Sequence, residues 1–421
     1  MLSLPLWPLR GASAAVGADA DPVPVDGQAP GGRARSRPVP GRALDSPVFT
    51  ALAAAIGGVG FVLLRLAIVA KGDVTRFVFA GSDFVSRAAA PHGLYIFPGS
   101  GYDGEFYYRL ALDPLDLART AYGITLDAGF RVQRIGLPVL SWLAAGGQRS
   151  LVPDAEIAVN LAALTVLAWL GGVMARQAGR HALWGLLVPG FWGFVFSIGR
   201  DLPEVVASCF LVGGLLALRG RRWVIGGLLF AGAVLTLETT LDVVVAVGVL
   251  SIVQLLRRRR RPGAQDAAWV LPALAFCGWQ LAGWALTGTL PMRADAGDNL
   301  AAPLVNPIGA LVHYLGHPFS PASLLWLGEL FVLAVVTAMA AWALPRARVP
   351  AWEKLAWAVA LLVALSLARG IWYGTANFRG FEDLYVLSSL VLLGSKRRLW
   401  LPAALVAVAW VVTVAHYAVS M

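Results

Sequence analysis

Between Gly101 and Pro114 the chain reads Gly-Tyr-Asp-Gly-Glu-Phe-Tyr-Tyr-Arg-Leu-Ala-Leu-Asp-Pro. Two carboxyl groups, Asp103 and Glu105, stand here beside a cluster of aromatic rings and Arg109. Glycines on both sides of Asp103 let the backbone bend tightly and approach a ligand closely. A carboxylate on such a turn can act as a general base or hold a cation. The plain alternative is a solvated turn whose acid caps a short amphipathic helix, expected over 106–112.

The elements that position this stretch follow from composition. Of 421 residues, 58% are hydrophobic and only 14% charged, outside the range of a water-soluble globular chain. The 16 Trp and nine Tyr suit a chain with many membrane–water boundaries. The net charge of +10 comes from Arg clusters between apolar stretches, so it speaks for membrane topology and not for nucleic acid. Cys209 and Cys277 both lie inside apolar stretches, which argues against a structural disulfide and a Cys-based metal site.

Residues 1–46 are rich in Ala, Gly, Pro and Arg and carry no apolar core segment, so they read as a disordered cytoplasmic tail or as the product of an upstream start codon. Residues 47–421 form one transmembrane domain. Its first span covers 48–70, and a long polar interval, 71–154, follows. Within it, 134–147 is apolar but short of the roughly 20 residues a spanning helix needs, which predicts a re-entrant or interfacial piece. Ten further spans are expected, at 155–175, 181–198, 202–219, 223–237, 240–256, 268–288, 323–344, 353–369, 383–395 and 399–417; the pair 223–237 and 240–256 also reads as one broken helix. The fold class is therefore an all-α polytopic membrane protein with about eleven transmembrane helices and a structured first outer loop. With the N-terminus inside, the basic clusters near Arg176, Arg219, Arg257, Arg346 and Lys396 all fall on the cytoplasmic side. Asp103 and Asn299 are then expected outside.

The same topology gathers Arg200, Glu204, Glu238, Asp242, Arg369, Arg379 and Glu382 at the outer span ends. Each alone reads as a snorkelling or capping group. Together on one face they supply cations for a lipid phosphate, carboxylates for an acceptor proton and aromatics for a sugar.

The motif Tyr102-Asp103-Gly104-Glu105-Phe106-Tyr107-Tyr108, followed by Arg131-Val-Gln-Arg134-Ile-Gly-Leu-Pro138 with Leu140 and Trp142, resembles bacterial integral-membrane proteins of the GT-C glycosyltransferase type. Within these it is similar to a group tied to cell-surface glycopolymer formation, and distantly to GPI mannosyltransferases. Arg200-Asp201-Leu202-Pro203-Glu204 and the late Asn377-Phe378-Arg379 match further elements loosely. The chain departs from the pattern at Leu137, where the family has an aromatic, and at Leu237 in Leu235-Thr236-Leu237-Glu238-Thr239, where it has an Arg.

The resemblance implies an inverting transferase that moves a sugar, mannose or another hexose or pentose, from a polyprenyl-phosphate donor to a glycolipid or polysaccharide acceptor at the outer face of a bacterial inner membrane. The implied base is Asp103, with Glu105 and then Asp83 as alternatives. The implied substrate-binding groups are Tyr102, Tyr107, Arg109, Arg131, Arg134, Arg200, Glu204, Glu238, Arg369 and Arg379. No cofactor is implied: there is no Asp-x-Asp pair, and a divalent metal stays open. Two other readings compete, a transporter or flippase of a lipid-linked saccharide and a non-catalytic partner in polysaccharide assembly. An acyltransferase built on His313 or His317 is a remote third.

Overall fold

The structure, a computed structural model, describes residues 45–293 and 300–419. The expected tail up to residue 44, and Asp295, Asp298 and Asn299, lie outside the described residues.

The helices are α1 (Pro47–Ile68), α2 (Gly104–Leu112), α3 (Gly136–Ala144), α4 (Val152–Gln177), α5 (Gly193–Ile198), α6 (Glu204–Arg219), α7 (Trp223–Thr236), α8 (Leu241–Leu256), α9 (Ala267–Thr287), α10 (Val305–Leu315), α11 (Pro321–Ala343), α12 (Ala351–Ser366), α13 (Arg369–Trp372), α14 (Glu382–Leu393) and α15 (Trp400–Val419). Two short pairings lie in the polar interval: β1 (Ala80–Gly81) parallel to β2 (Ile96–Phe97), and β3 (Thr120–Ala121) antiparallel to β4 (Ile124–Thr125). Helix starts follow the sequence: Ser46 and Ser320 accept the first free N–H groups of α1 and α11, and each helix has proline as its first residue.

Packing runs as a circuit. α1 meets α4, then α6, α7, α9, α8 and α12 follow in contact order, and α15 joins α11 to α1. α14 bridges α12 to α11 and also touches α4 and α6. All twelve of its residues are buried, so it is the central helix. Around it, large apolar side chains such as Ile56, Leu63, Leu274, Leu281, Val408 and Val411 point outward. Such faces are covered when the solvent is a bilayer. The chain is an all-α membrane protein.

Six helical segments among the described residues are long and apolar enough to cross a membrane, against the eleven spans expected. The difference lies in the shorter helices around the core: α6, α7, α12 and α14 have 16, 14, 16 and 12 residues. The expected span 181–198 is not one helix. It is a 3₁₀ segment, Ala182–Leu187, and the six-residue α5, with Pro189 between them removing a backbone donor. α7 and α8 are separate helices, because Leu237 between them is extended, with φ −153° and ψ 120°. α3 has nine residues, about 14 Å, and does not cross.

The polar interval is folded. The short amphipathic helix expected over 106–112 is present as α2, and it keeps no exposed face: every residue from Gly104 to Leu112 is buried in the protein. Two of its polar side chains are anchored there. Glu105 Oε2 accepts the Gly81 N–H at 2.7 Å, and Arg109 donates to the Asp116 and Ala118 carbonyls. Two glycines make the docking close. Gly101 has φ +62°, and a Cβ at Gly104 would stand 2.2 Å from the Arg200 carbonyl oxygen and 2.7 Å from that of Val78. The start of α2 is thereby pressed onto the turn before α6. Gly104→Ala must push backbone apart, and it is expected to destabilise the protein by about 1–3 kcal/mol or more. Thermal unfolding of the purified variant in detergent checks this; an unchanged midpoint contradicts the packing.

Candidate active site

Asp103 occupies the position before the first residue of α2, but its carboxylate caps nothing there. It turns outward to two guanidinium groups. Arg131 Nη2 donates to Oδ1 at 2.8 Å, and Arg379 Nη2 donates to Oδ2 at 2.5 Å. The solvated-cap reading of this turn is thus replaced by an ion-pair reading. Each arginine has a second carboxylate behind it. Arg131 also donates to Asp127 at 2.9 and 2.8 Å, and Arg379 Nη1 donates to Glu204. Glu204 accepts in turn from the Ser197 hydroxyl at 2.8 Å. Charges of alternating sign therefore run from the turn before α3, past the start of α2, to the starts of α6 and α14.

A second pair stands beside this chain. Arg134 grips Glu238 through two bonds of 2.8 and 2.5 Å and donates to the Tyr107 hydroxyl at 3.0 Å. Such fork-to-carboxylate geometry fixes both groups. The 3₁₀ segment Gly129–Gln133 that carries Arg131 is pinned to α9: Trp279 donates to the Val132 carbonyl at 2.9 Å, and Gln280 to Gln133 at 3.0 Å.

These groups line one cavity of about 810 Å³. Its polar wall holds Tyr102, Asp103, Arg131, Gln133, Arg134, Glu238, Thr239, Arg379 and Glu382. The rest of the lining is mostly apolar, including Leu241, Phe276, Met292, Leu300, Val363 and Ile371. Another cavity, about 640 Å³, lies between α1, the 182–187 segment and α15; its lining is almost wholly apolar, and His181 is its one ionisable residue.

The structure sorts the residues expected at a site. Tyr102, Asp103, Arg131, Arg134, Glu238 and Arg379 meet in the cavity wall, with Glu204 and Tyr107 directly behind as partners of Arg379 and Arg134. Five others do not line the cavity. Asp83 is exposed and does not line the cavity. Arg109 is turned to the 113–118 loop, because the carbonyls there satisfy its buried guanidinium. Arg200 stacks its guanidinium over Phe79, 3.4 Å from the ring centre, and Arg369 lies over Tyr373 at 4.7 Å. Glu105 sits buried just behind Asp103, with Oε1 unpartnered. His313 packs against Tyr373 with His317 beside it, and neither lines the cavity. Cys209 and Cys277 are both free thiols.

Sequence reasoning missed Asp127, Phe130, Gln133 and Thr239. The four-residue spacing of Asp127 and Arg131 was a usable signal for an ion pair on one turn; nothing marked Gln133 or Thr239. Leu237, where the resembled family has Arg, stands in the cavity wall, so this cavity has one cation fewer than that pattern supplies. Among the described residues no three His, Cys, Asp or Glu side chains are grouped to hold a metal ion.

Electrostatics separates the two carboxyls of the motif. Burial pushes Asp103 up, but the charges of Arg131 and Arg379 outweigh it and hold the group well below the usual carboxylate range. Burial pushes Glu105 up from its ordinary 4.5 to about 8. Comparison with protein families, characterised proteins and solved structures gives no match for this chain.

Glu105 makes a pH prediction. Between 4.5 and about 8 the folded chain binds one proton more at Glu105 than the unfolded chain, so its contribution to stability is full below 4.5 and is lost as pH rises through 8. Glu105→Gln is expected to flatten the fall in unfolding temperature between pH 5 and pH 9. Parallel slopes for wild type and variant contradict a buried, protonated Glu105.

Proposed function

We propose that this chain is an integral-membrane glycosyltransferase of the GT-C type, using a polyprenyl-phosphate-linked sugar as donor and a glycolipid or polysaccharide as acceptor. One observation carries the reading: a single cavity brings three arginines and the Asp103, Glu238 and Glu382 carboxyl groups together with many apolar side chains. That is the complement of an amphiphile with an anionic head. Arginine forks suit the phosphate, and the apolar side chains suit the first isoprene units. The resemblance of the Tyr102–Tyr108 and Arg131–Pro138 motifs supplies the reaction class.

In this reading Arg379 binds the donor phosphate and Asp103 is the general base. At rest the two are paired, so Asp103 is a weak base. A phosphate that draws Arg379 away restores basicity to Asp103 at the moment the donor is in place. Asp103 then takes the acceptor hydroxyl proton, and the acceptor oxygen bonds to the anomeric carbon. The bond from that carbon to the phosphate oxygen breaks on the opposite face, and its electron pair leaves with the polyprenyl phosphate. The product anomer is inverted. Asp127 keeps Arg131 in place, and Glu204 tethers Arg379 while it turns from Asp103 to the phosphate.

Removal of a general base costs about 10²–10⁴ in rate. Asp103→Asn in purified protein is therefore expected to lose turnover on that scale while binding donor, whereas Arg379→Ala loses donor affinity. Activity is assayed with a panel of radiolabelled polyprenyl-phosphate sugars. Full activity in Asp103→Asn moves the base elsewhere, and no transfer by wild type with any donor leaves the transporter or non-catalytic reading.

The cavity is assigned to the outer side from the one-sided basic loops. In a chain with Cys209 and Cys277 replaced by serine, Leu115→Cys, on an exposed loop, is expected to react with an impermeant maleimide in intact cells, and Arg259→Cys is not. The reverse pattern inverts the topology.

A further inference from the structure

Glu382 is the first residue of the central helix α14 and belongs to the cavity wall, yet neither the base nor the phosphate assignment uses it. It is 0% exposed. Its Oε1 accepts one long hydrogen bond, from the Thr239 hydroxyl at 3.3 Å, and its Oε2 has no partner. A buried carboxyl oxygen without a donor is costly and calls for an explanation. The nearest guanidinium does not supply one, because Arg379 is spent on Asp103 and Glu204.

We propose that Glu382 and Thr239 form a hydroxyl-binding subsite that recognises the saccharide of a lipid-linked donor; this rests on the glycosyltransferase reading above. The chemistry of the pair selects the ligand. A carboxyl group with no cation partner offers a phosphate no opposite charge, and in either protonation state it accepts from a neutral hydroxyl. A hydroxyl both donates and accepts, so one sugar hydroxyl can donate to Glu382 Oε2 and accept from Thr239 Oγ1. Thr239 lines the same cavity, so its hydroxyl can turn from Glu382 to a ligand there. The last torsion of a glutamate is soft, and a small turn brings Oε2 to the cavity surface. Position agrees with the role. Arg379 and Gly380 precede Glu382 in the same wall, so the subsite adjoins the phosphate group, where the hydroxyls of a phosphate-linked sugar lie.

The test uses two probes on the purified full chain in nanodiscs: farnesyl phosphate, and farnesyl phosphate esterified through its phosphate to the anomeric carbon of mannose, glucose or arabinose. Binding is read by intrinsic tryptophan fluorescence. Wild type is expected to bind at least one sugar-bearing probe more tightly than farnesyl phosphate. Glu382→Gln and Thr239→Val are each expected to weaken that probe about 10-fold or more and to leave farnesyl phosphate unchanged. Equal loss for both probes, or no loss in either variant, overturns the subsite while leaving the donor reading intact. If wild type binds neither probe, the donor reading falls and the subsite with it. Should Glu382→Gln fail to fold, Thr239→Val carries the same comparison, since it removes only one hydroxyl.

Discussion

The carboxylate of Asp103, held between the guanidinium groups of Arg131 and Arg379, is the interaction on which the upper part of this molecule depends. A charge taken out of water is tolerated only when it is paired and hydrogen-bonded. Here each partner needs the next: Asp127 backs Arg131, and Glu204 backs Arg379. The chain of pairs spans four separate segments of sequence. It ties the polar interval to the helical core, and loss of Arg379 would leave the buried Glu204 without its cation. Gly104 is the steric condition for it, since a side chain there would hold α2 off the turn that leads to Glu204.

The same pairing sets how the cavity handles an anion. Arg131, Arg134 and Arg379 are opposed by Asp103, Asp127, Glu204 and Glu238, so the resting site is not a positively charged well. An anionic head enters by exchange, taking a guanidinium from a carboxylate and not by filling a vacant field. Exchange couples occupancy to the state of Asp103, because the group that receives the phosphate is the group that suppresses the base. Arg134 differs. Its two bonds to Glu238 and a third to Tyr107 hold it as part of the wall.

The position of α14 explains why the site sits where it does. A helix with every residue buried has no lipid face, so its polar first turn, Glu382 and Asp383, ends inside the protein near the cavity. The long apolar helices occupy the periphery, where one face meets lipid and only part of each is buried. Short helices in the middle leave room at their ends, and that room is the cavity.

Much of the architecture was legible in the sequence because hydropathy is a local property. Composition and apolar runs gave the all-α membrane class and located most of the helices, and the apolar but short 134–147 segment gave a helix that does not cross. The glycine-bracketed Asp103 and the clustered arginines pointed to the region where the cavity lies. The outcome at particular residues was a tertiary matter. Nothing local distinguishes Arg131 and Arg379, which meet at Asp103, from Arg109, which turns to loop carbonyls, or Arg200, which stacks on Phe79. A guanidinium satisfies itself with whichever carboxylate, carbonyl or ring the fold brings to it. Likewise α2 is amphipathic enough to suit a membrane surface, and only the partners waiting inside, the Gly81 N–H for Glu105 and two carbonyls for Arg109, buried it. Sequence fixed which side chains were available for chemistry; the three-dimensional pairing of charges decided which of them face one another, because that pairing joins residues as far apart as Asp103 and Arg379.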